Sequence, residues 1–157
     1  MRRLPGTGEA LTLFFEFVAT ICAGLFAGAA IYITFVEHPA RLECGTALAA
    51  TQFGPSYRRA TVMQASLAAL GFVSALAAWA GGGGLPALLG GVLLGLVIPF
   101  TLVVILPTNK RLLDPALDRT SSEAAALLAR WGRLHAVRSG ASGLAFGLLA
   151  WHLARHV

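Results

Sequence analysis

Four stretches of this chain are long and apolar enough to cross a bilayer, and nothing else in it constrains the fold as strongly. They run over about 11–35, 61–80, 85–106 and 134–152. A membrane-spanning helix takes roughly 20 residues. In hydrocarbon every backbone N–H and C=O must find its partner inside the protein, which leaves helices or closed barrels. No segment alternates apolar and polar residues as a barrel strand does. The expected fold is therefore all-α, an integral membrane four-helix bundle forming a single membrane domain over 1–157. Helices are expected at about 11–35, 61–80, 85–106 and 121–153, the last spanning from about 134. Connections 1–2 and 3–4 are expected to be long and cytoplasmic, connection 2–3 short and glycine-rich. Only 12% of the residues are charged, about half the share of a soluble domain, so little chain remains for a separate soluble unit.

The net charge of +5 belongs to the membrane rather than to nucleic acid. No basic stripe with interleaved aromatics lies on a soluble surface. Arg41, Arg58, Arg59, Lys110, Arg111, Arg119, Arg130 and Arg133 gather at the end that carries connections 1–2 and 3–4. Arg2, Arg3 and Arg155 sit at the other end, and the "GGGG" turn carries no charge. The positive-inside rule then places the long connections in the cytoplasm and both termini outside it, in the inner membrane if the protein is bacterial. Arg2 and Arg3 also precede the first apolar run as they would in a signal peptide. That run, however, is longer than an h-region of roughly 7–15 residues, and Glu16 lies inside it. Cys22 and Cys44 make no disulfide framework and are read as free thiols.

Proline and glycine punctuate the helices. Pro39 in "VEHP" should stop helix one at His38, leaving 40–60 as a connector whose middle forms at most a weak interfacial helix. "GPS" should break that helix before helix two begins. Pro99 frees a carbonyl near Gly95, and Pro107 should close helix three. Thr120 with Glu123 fits a capping box that starts helix four. Glu16, Thr20, Gly24 and Gly28 recur every fourth residue and should share an inward face. Glu16 is either paired, with His152 as its expected partner, or reaches outward to the interface. The "GGGG" turn resembles a phosphate loop only superficially, since no Lys-Ser/Thr follows it.

The two ends are unlike in polarity. At the connection end Tyr32, Gln64, Thr101 and Arg138 fall at roughly one depth on four different helices, from a rise of about 1.5 Å per residue. On helix four Trp131, His135, Arg138 and Ser142 form one stripe. Ala136, Gly140, Gly143 and Gly147 are expected to run beside it as a close-packing stripe, turning both inward. An inward arginine at membrane depth is a functional-site hypothesis. Arg58, Arg59, Arg130 and Arg133 read as headgroup anchors. Trp131 could equally be an interfacial belt residue, His135 could cap a carbonyl, and Arg138 could snorkel.

Several chemistries fit such a pocket unequally. Glu37, His38 and His135 could hold a metal, but no HExxH occurs and adjacent helical residues diverge. Ser139 and Ser142 neighbour His135 without any nucleophile elbow. Proton abstraction is more natural. A histidine at a wet–dry boundary can titrate near neutrality, and Arg138 with Asn109 would stabilise a developing oxyanion.

These residues carry a resemblance. "VEHP", "FGPSYRRATVMQ", "PFTLVVILPTN" followed by Leu112, and "WGRLHAVR" occur in order over about 20–145. Together they resemble the anthrone oxygenase-like family of small four-helix membrane proteins, most of unknown function. Its name comes from fungal enzymes that oxidise anthrones to anthraquinones with dioxygen, without an organic cofactor. The resemblance marks Glu37, His38 and Pro39, Tyr57 and Gln64, Pro107, Thr108 and Asn109, and Trp131 and Arg138. Some members carry asparagine at the position of His135, which makes Arg138 the firmer expectation there.

Two readings follow. The first is a cofactor-independent oxygenase acting on a flat phenolic or enolisable apolar substrate that enters from the bilayer. His135, Arg138, Asn109 and His38 would be catalytic; Trp131, Tyr32, Tyr57, Gln64, Thr101 and Glu37 would bind substrate. No cofactor is expected, a metal at Glu37, His38 and His135 being the alternative. The second is a non-catalytic membrane protein that binds a lipid or quinone or serves as a subunit of a complex. The expected partners are membrane lipid, an apolar small molecule and a second copy of the chain, with no nucleic acid.

Overall fold

Three of the helices are long and apolar enough to cross a membrane: α1 (Thr7–Glu43), α2 (Thr46–Ala80) and α3 (Gly84–Leu112). The fourth, α4 (Ser122–His156), packs along them and is less apolar over its length. The computed structural model describes residues 6–156, with no strand among them. Arg2 and Arg3, which precede the first apolar run and carry the outer positive charge expected of the N-terminal tail, lie outside the described residues. The helices form a ring, α1 against α2 and α4, α3 against α2 and α4.

The helices overrun their expected ends, so the long connections shrink. Helix α1 passes through Pro39 to Glu43, and only Cys44 and Gly45 separate it from α2. Pro39 is accommodated because the turn before it, Ile33–Glu37, is widened to a π turn in which the His38 N–H bonds the Ile33 carbonyl. The wide turn relieves the crowding that a proline ring causes four residues back. Helix α3 repeats the device. Thr101–Ile105 is a π turn, the Leu106 N–H bonds the Thr101 carbonyl, and Pro107 then continues helically to Leu112. Helix α2 runs without a break through Gly54, Pro55 and Ser56. Its flanking side chains Phe53 and Tyr57 stack 5.7 Å apart on its inner side, and the packing outweighs the local breaker. Helix α4 is capped one residue later than expected. Ser121 Oγ accepts the Ala124 N–H, while Thr120 turns back to bond Asp118.

Two apolar clusters fill the ring. One, towards the glycine turn, contains Ala23, Phe26, Ala75, Leu94, Val97, Ala145 and Leu149. The other, at the connection end, contains Ile33, Ala49, Phe53, Ile105, Leu128 and Trp131. Close approach between helices is made by glycines of α2 and α3. A Cβ at Gly91 would stand 2.4 Å from Ala75 Cβ, and one at Gly90 2.6 Å from Leu149 Cγ. The expected stripe on α4 does not do this. Gly140 and Gly147 have open space around them and Ala136 is exposed. At about 100° per residue those positions lie roughly 120–180° from Trp131, on the outward face. Gly28 is likewise exposed, since each four-residue step gains about 40° and three such steps carry it off Glu16's face.

Glu16 does point inward. Its Oε1 lies 3.0 Å from His152 Nε2, both residues buried. The glycine turn closes over this pair. Gly82 and Gly84 have φ of 99° and 74°, conformations glycine adopts without strain. A Cβ on Gly83 would fall 2.6 Å from Glu16 Oε1.

Candidate functional site

Between the two apolar clusters lies a cavity of ≈ 140 Å³. All four helices contribute to it: Phe26, Ile33 and Arg41 from α1; Phe53, Ser56, Tyr57, Thr61, Gln64, Ala65 and Ala68 from α2; Val97, Thr101, Leu102, Ile105 and Asn109 from α3; Trp131, His135 and Arg138 from α4. Most of the wall is apolar, and the polar groups converge on it from three sides.

Arg138 organises the first side. Its Nη2 donates to Gln64 Oε1 at 2.7 Å and stands 2.7 Å from His135 Nε2. Its guanidinium also lies over the Phe26 ring, 5.6 Å from the centroid. Phase explains the placement. Trp131, His135, Arg138 and Ser142 share a helical face, and Trp131, His135 and Ser142 are buried. His135 is held from behind as well, its Nδ1 lying 2.9 Å from Thr34 Oγ1.

Arg41 makes the second side, with Glu37 behind it. Arg41 is buried and ion-paired with Glu37 one turn earlier across Pro39. Glu37 Oε1 also accepts from Ser56 Oγ at 2.7 Å and from Gln52 Nε2 at 3.1 Å. Arg41 stands over the Trp131 ring at 5.7 Å. Sequence reading placed Arg41 among the basic residues of the connection end. The i,i+4 spacing of Glu37 and Arg41 was the available signal, masked by the assumption that Pro39 ends the helix.

Asn109 supplies the third side. It is buried, and its Oδ1 has no partner, nor do Gln64 Nε2, Arg41 Nε and Arg138 Nε. Buried polar atoms are nearly always hydrogen-bonded. Four unpartnered atoms on four cavity-lining residues mark an interior prepared for a polar group it does not itself contain.

Of the expected site residues, Trp131, His135, Arg138, Asn109, Gln64, Thr101 and Tyr57 therefore meet around one cavity. Thr101 contributes little polarity, because its hydroxyl donates to the Val97 carbonyl at 2.7 Å. Three do not join them. Tyr32 is 56% exposed on the outside of α1, since two residues from buried Ala30 is about 200° of rotation. It borders a separate outer groove between α1 and α2, together with Glu37, Arg59 and Met63. Glu37 faces that groove and Arg41 rather than the cavity. His38 stands behind Trp131, with its ring 5.0 Å from the indole. Trp131 in turn lies 4.6 Å from the His135 ring, so the indole separates the two imidazoles. Glu37, His38 and His135 thus do not converge as ligands, and no group of three or more His, Cys, Asp or Glu poised to hold a metal occurs among the described residues. Gly132 makes room for this stack, as a Cβ there would fall 2.5 Å from His38 Nε2.

Fold and site together define an all-helical protein with apolar helices long enough to cross a membrane, and with a buried cationic cavity at one end. The particular family is given by comparison. The anthrone oxygenase family matches residues 53–148. The anthrone oxygenase tpcL of Aspergillus fumigatus is 32% identical over 144 residues, covering 83% of this chain and 88% of that protein. The chain belongs to the anthrone oxygenase family. No solved structure matches it.

Proposed function

We propose that the protein oxidises a flat phenolic or enolisable apolar substrate with dioxygen, in the cavity around Arg138. The observation that carries this reading is the convergence of Arg138, Gln64, Arg41 and Asn109, with polar atoms left unpartnered, on an otherwise apolar chamber. Such a chamber suits a molecule that is apolar except for an oxygen that becomes anionic. Hydrogen-bond donors in a water-poor site stabilise developing charge more strongly than the same donors do in water.

All four helices span the membrane in this reading, with the connection end in the cytoplasm, where the basic residues gather. Substrate comes from the bilayer. Thr61 and Ala65 of α2 and Leu102 of α3 line the cavity yet are exposed. Thr101–Ile105 packs on α4, and in this reading the gap between these side chains of α2 and α3 faces lipid. A cavity of ≈ 140 Å³ holds about one aromatic ring, and the rest of a larger flat substrate would occupy the gap.

Inside, the substrate lies against Trp131 and gives a proton to His135 Nε2. Arg138 swings from that nitrogen to the new enolate oxygen, with Asn109 and Gln64 beside it. The carbanion's electron pair forms a C–O bond with dioxygen. The resulting peroxide regains the proton from His135 and loses water to leave a ketone. His38 acts only through Trp131, by fixing the indole plane.

The test is oxygen uptake by detergent-solubilised protein given an anthrone-type substrate. Uptake should be present in the native chain and lost in Arg138→Ala. Uptake that survives the substitution overturns the assignment. A second reading, lipid binding without catalysis, draws on the outer groove, where apolar Ile33, Ala60 and Met63 adjoin Arg59. It predicts phospholipid retained through purification and no uptake.

A further inference from the structure

We propose that Thr34 is a positioning residue for His135, holding its imidazole in the neutral form that carries hydrogen on Nδ1 and keeps the Nε2 lone pair towards Arg138 and the cavity.

The direction of every hydrogen in this chain of contacts follows from its two ends. A guanidinium has donors only. Arg138 Nη2 lies 2.7 Å from His135 Nε2, so Nε2 must be the acceptor and can carry no hydrogen. The hydrogen of the neutral ring is therefore on Nδ1. That nitrogen faces Thr34 Oγ1 at 2.9 Å and Ser139 Oγ at 3.4 Å. Thr34 accepts from Nδ1–H, which leaves its own hydroxyl hydrogen for Ser139 Oγ, 2.8 Å away. Ser139 then donates to a backbone carbonyl, Ala30 or His135, each at 3.0 Å. A carbonyl can only accept. The chain is thus anchored by an obligate donor at one end and an obligate acceptor at the other.

Thr34 is set apart from its neighbours by where its hydroxyl goes. Thr12, Thr20, Thr51 and Thr101 each bond the carbonyl four residues back in their own helix, the usual habit of a helical threonine. Thr34 would do the same at Ala30. The Ser139 hydroxyl of α4 stands 3.0 Å from the Ala30 carbonyl in its place, and the Thr34 hydroxyl is diverted across the helix interface to His135. Thr34 sits in the π turn Ile33–Glu37, where the carbonyl ladder is already displaced.

The consequence for catalysis rests on the oxygenase reading above, but the tautomer does not. When Arg138 turns to a bound anion, nothing else in the cavity fixes which ring nitrogen is basic. The Thr34–Ser139–carbonyl chain keeps the hydrogen on Nδ1, so Nε2 stays free to accept a proton from the substrate. A second hydrogen-bonded group that orients a histidine base is the general requirement of such sites.

The experiment is nitrogen NMR of protein labelled with ¹⁵N-histidine, in detergent at neutral pH. The chain has four histidines, and His135→Gln identifies the signals of interest. The native protein should show His135 protonated at Nδ1 and bare at Nε2. In Thr34→Val the Nδ1–H proton should lose its hydrogen-bonded shift, and Thr34→Ser should restore it. Thr34→Ala gives the same reading if the valine variant does not fold. A hydrogen on Nε2 in the native protein, or a Nδ1–H signal unmoved in both Thr34→Val and Thr34→Ala, overturns the proposal. With an active substrate, kcat should fall by up to about 10²-fold in Thr34→Val with little change in KM, and recover in Thr34→Ser. Loss of the Nδ1–H shift with kcat intact upholds the role of Thr34 and instead removes His135 as the base.

Discussion

Arg138 and Gln64 meet across the bundle, the arginine's Nη2 2.7 Å from the amide oxygen, while the amide nitrogen of Gln64 has no partner. The pair therefore joins α4 to α2 through one bond and leaves a donor over. Substituting Gln64→Leu removes one of the two acceptors of a partly buried charge, His135 Nε2 being the other. Stability should fall by about 1–3 kcal/mol, the range for a hydrogen bond to a charged group, read as a lower thermal midpoint in detergent. Gln64→Glu should recover the midpoint, since a carboxylate pairs with the guanidinium. It should also abolish oxygen uptake, because the cation is then neutralised before any substrate arrives. A Gln64→Glu variant with native uptake would contradict Arg138 as the anion-binding group.

Arg41 and Glu37 call for a double-mutant cycle. Arg41 is buried, and its charge is compensated by Glu37, which Ser56 and Gln52 also hold. Glu37→Ala alone strands the cation and should cost about 3–5 kcal/mol. Removing both, as Glu37→Ala with Arg41→Met, should cost less than Glu37→Ala alone. Additive losses in thermal or denaturant unfolding would mean that the two side chains do not interact.

Much of this arrangement was legible in the sequence. The all-helical bundle followed from the four apolar runs, and the stripe Trp131, His135, Arg138 from helical phase. Much of what was hidden had one physical source. Pro39, Pro55 and Pro107 were read as helix ends, and none of them is. Two sit just after π turns that absorb the proline, and a widened turn leaves no mark in a hydropathy pattern. Reading Pro39 as a stop cut Glu37 from Arg41 and concealed the second cation of the site. The other misses came from counting steps of four as one face. Over three steps the drift is about 120°, enough to carry Gly28 outward. The stripe at Ala136, Gly140 and Gly147 failed for the related reason that it starts five residues past Trp131, on the far side of α4.

Two glycines of α4 should behave oppositely on gaining a methyl group. Gly132 abuts His38, and a Cβ there would fall 2.5 Å from Nε2. Gly132→Ala must push His38 off Trp131 and should cost about 1–3 kcal/mol, as overpacking does. Gly140 has nothing within 4 Å of an added Cβ. Gly140→Ala should be neutral, or stabilising by up to about 1 kcal/mol through helix propensity. Thermal midpoints of the two variants, measured side by side, decide the matter. Equal losses would mean that α4 faces differently from its placement here.

The Glu16–His152 pair provides a control at the far end of the same bundle. It joins α1 to α4 beneath the glycine turn, and Glu16 lies 18 residues before Thr34 on α1, or about 27 Å at helical rise. Apolar Ala23, Phe26, Ala145 and Leu149 fill the space between. Glu16→Ala removes a buried hydrogen bond and should lower stability by about 1–3 kcal/mol. Glu16→Gln, which keeps an oxygen facing His152, should lose less. Neither should alter the kcat of oxygen uptake per folded molecule, because that apolar block separates the pair from the cavity. If Glu16→Ala were to reduce kcat as far as Arg138→Ala does, while remaining folded by circular dichroism, the two ends would be coupled. The chemistry could then not be confined to the cavity at Arg138.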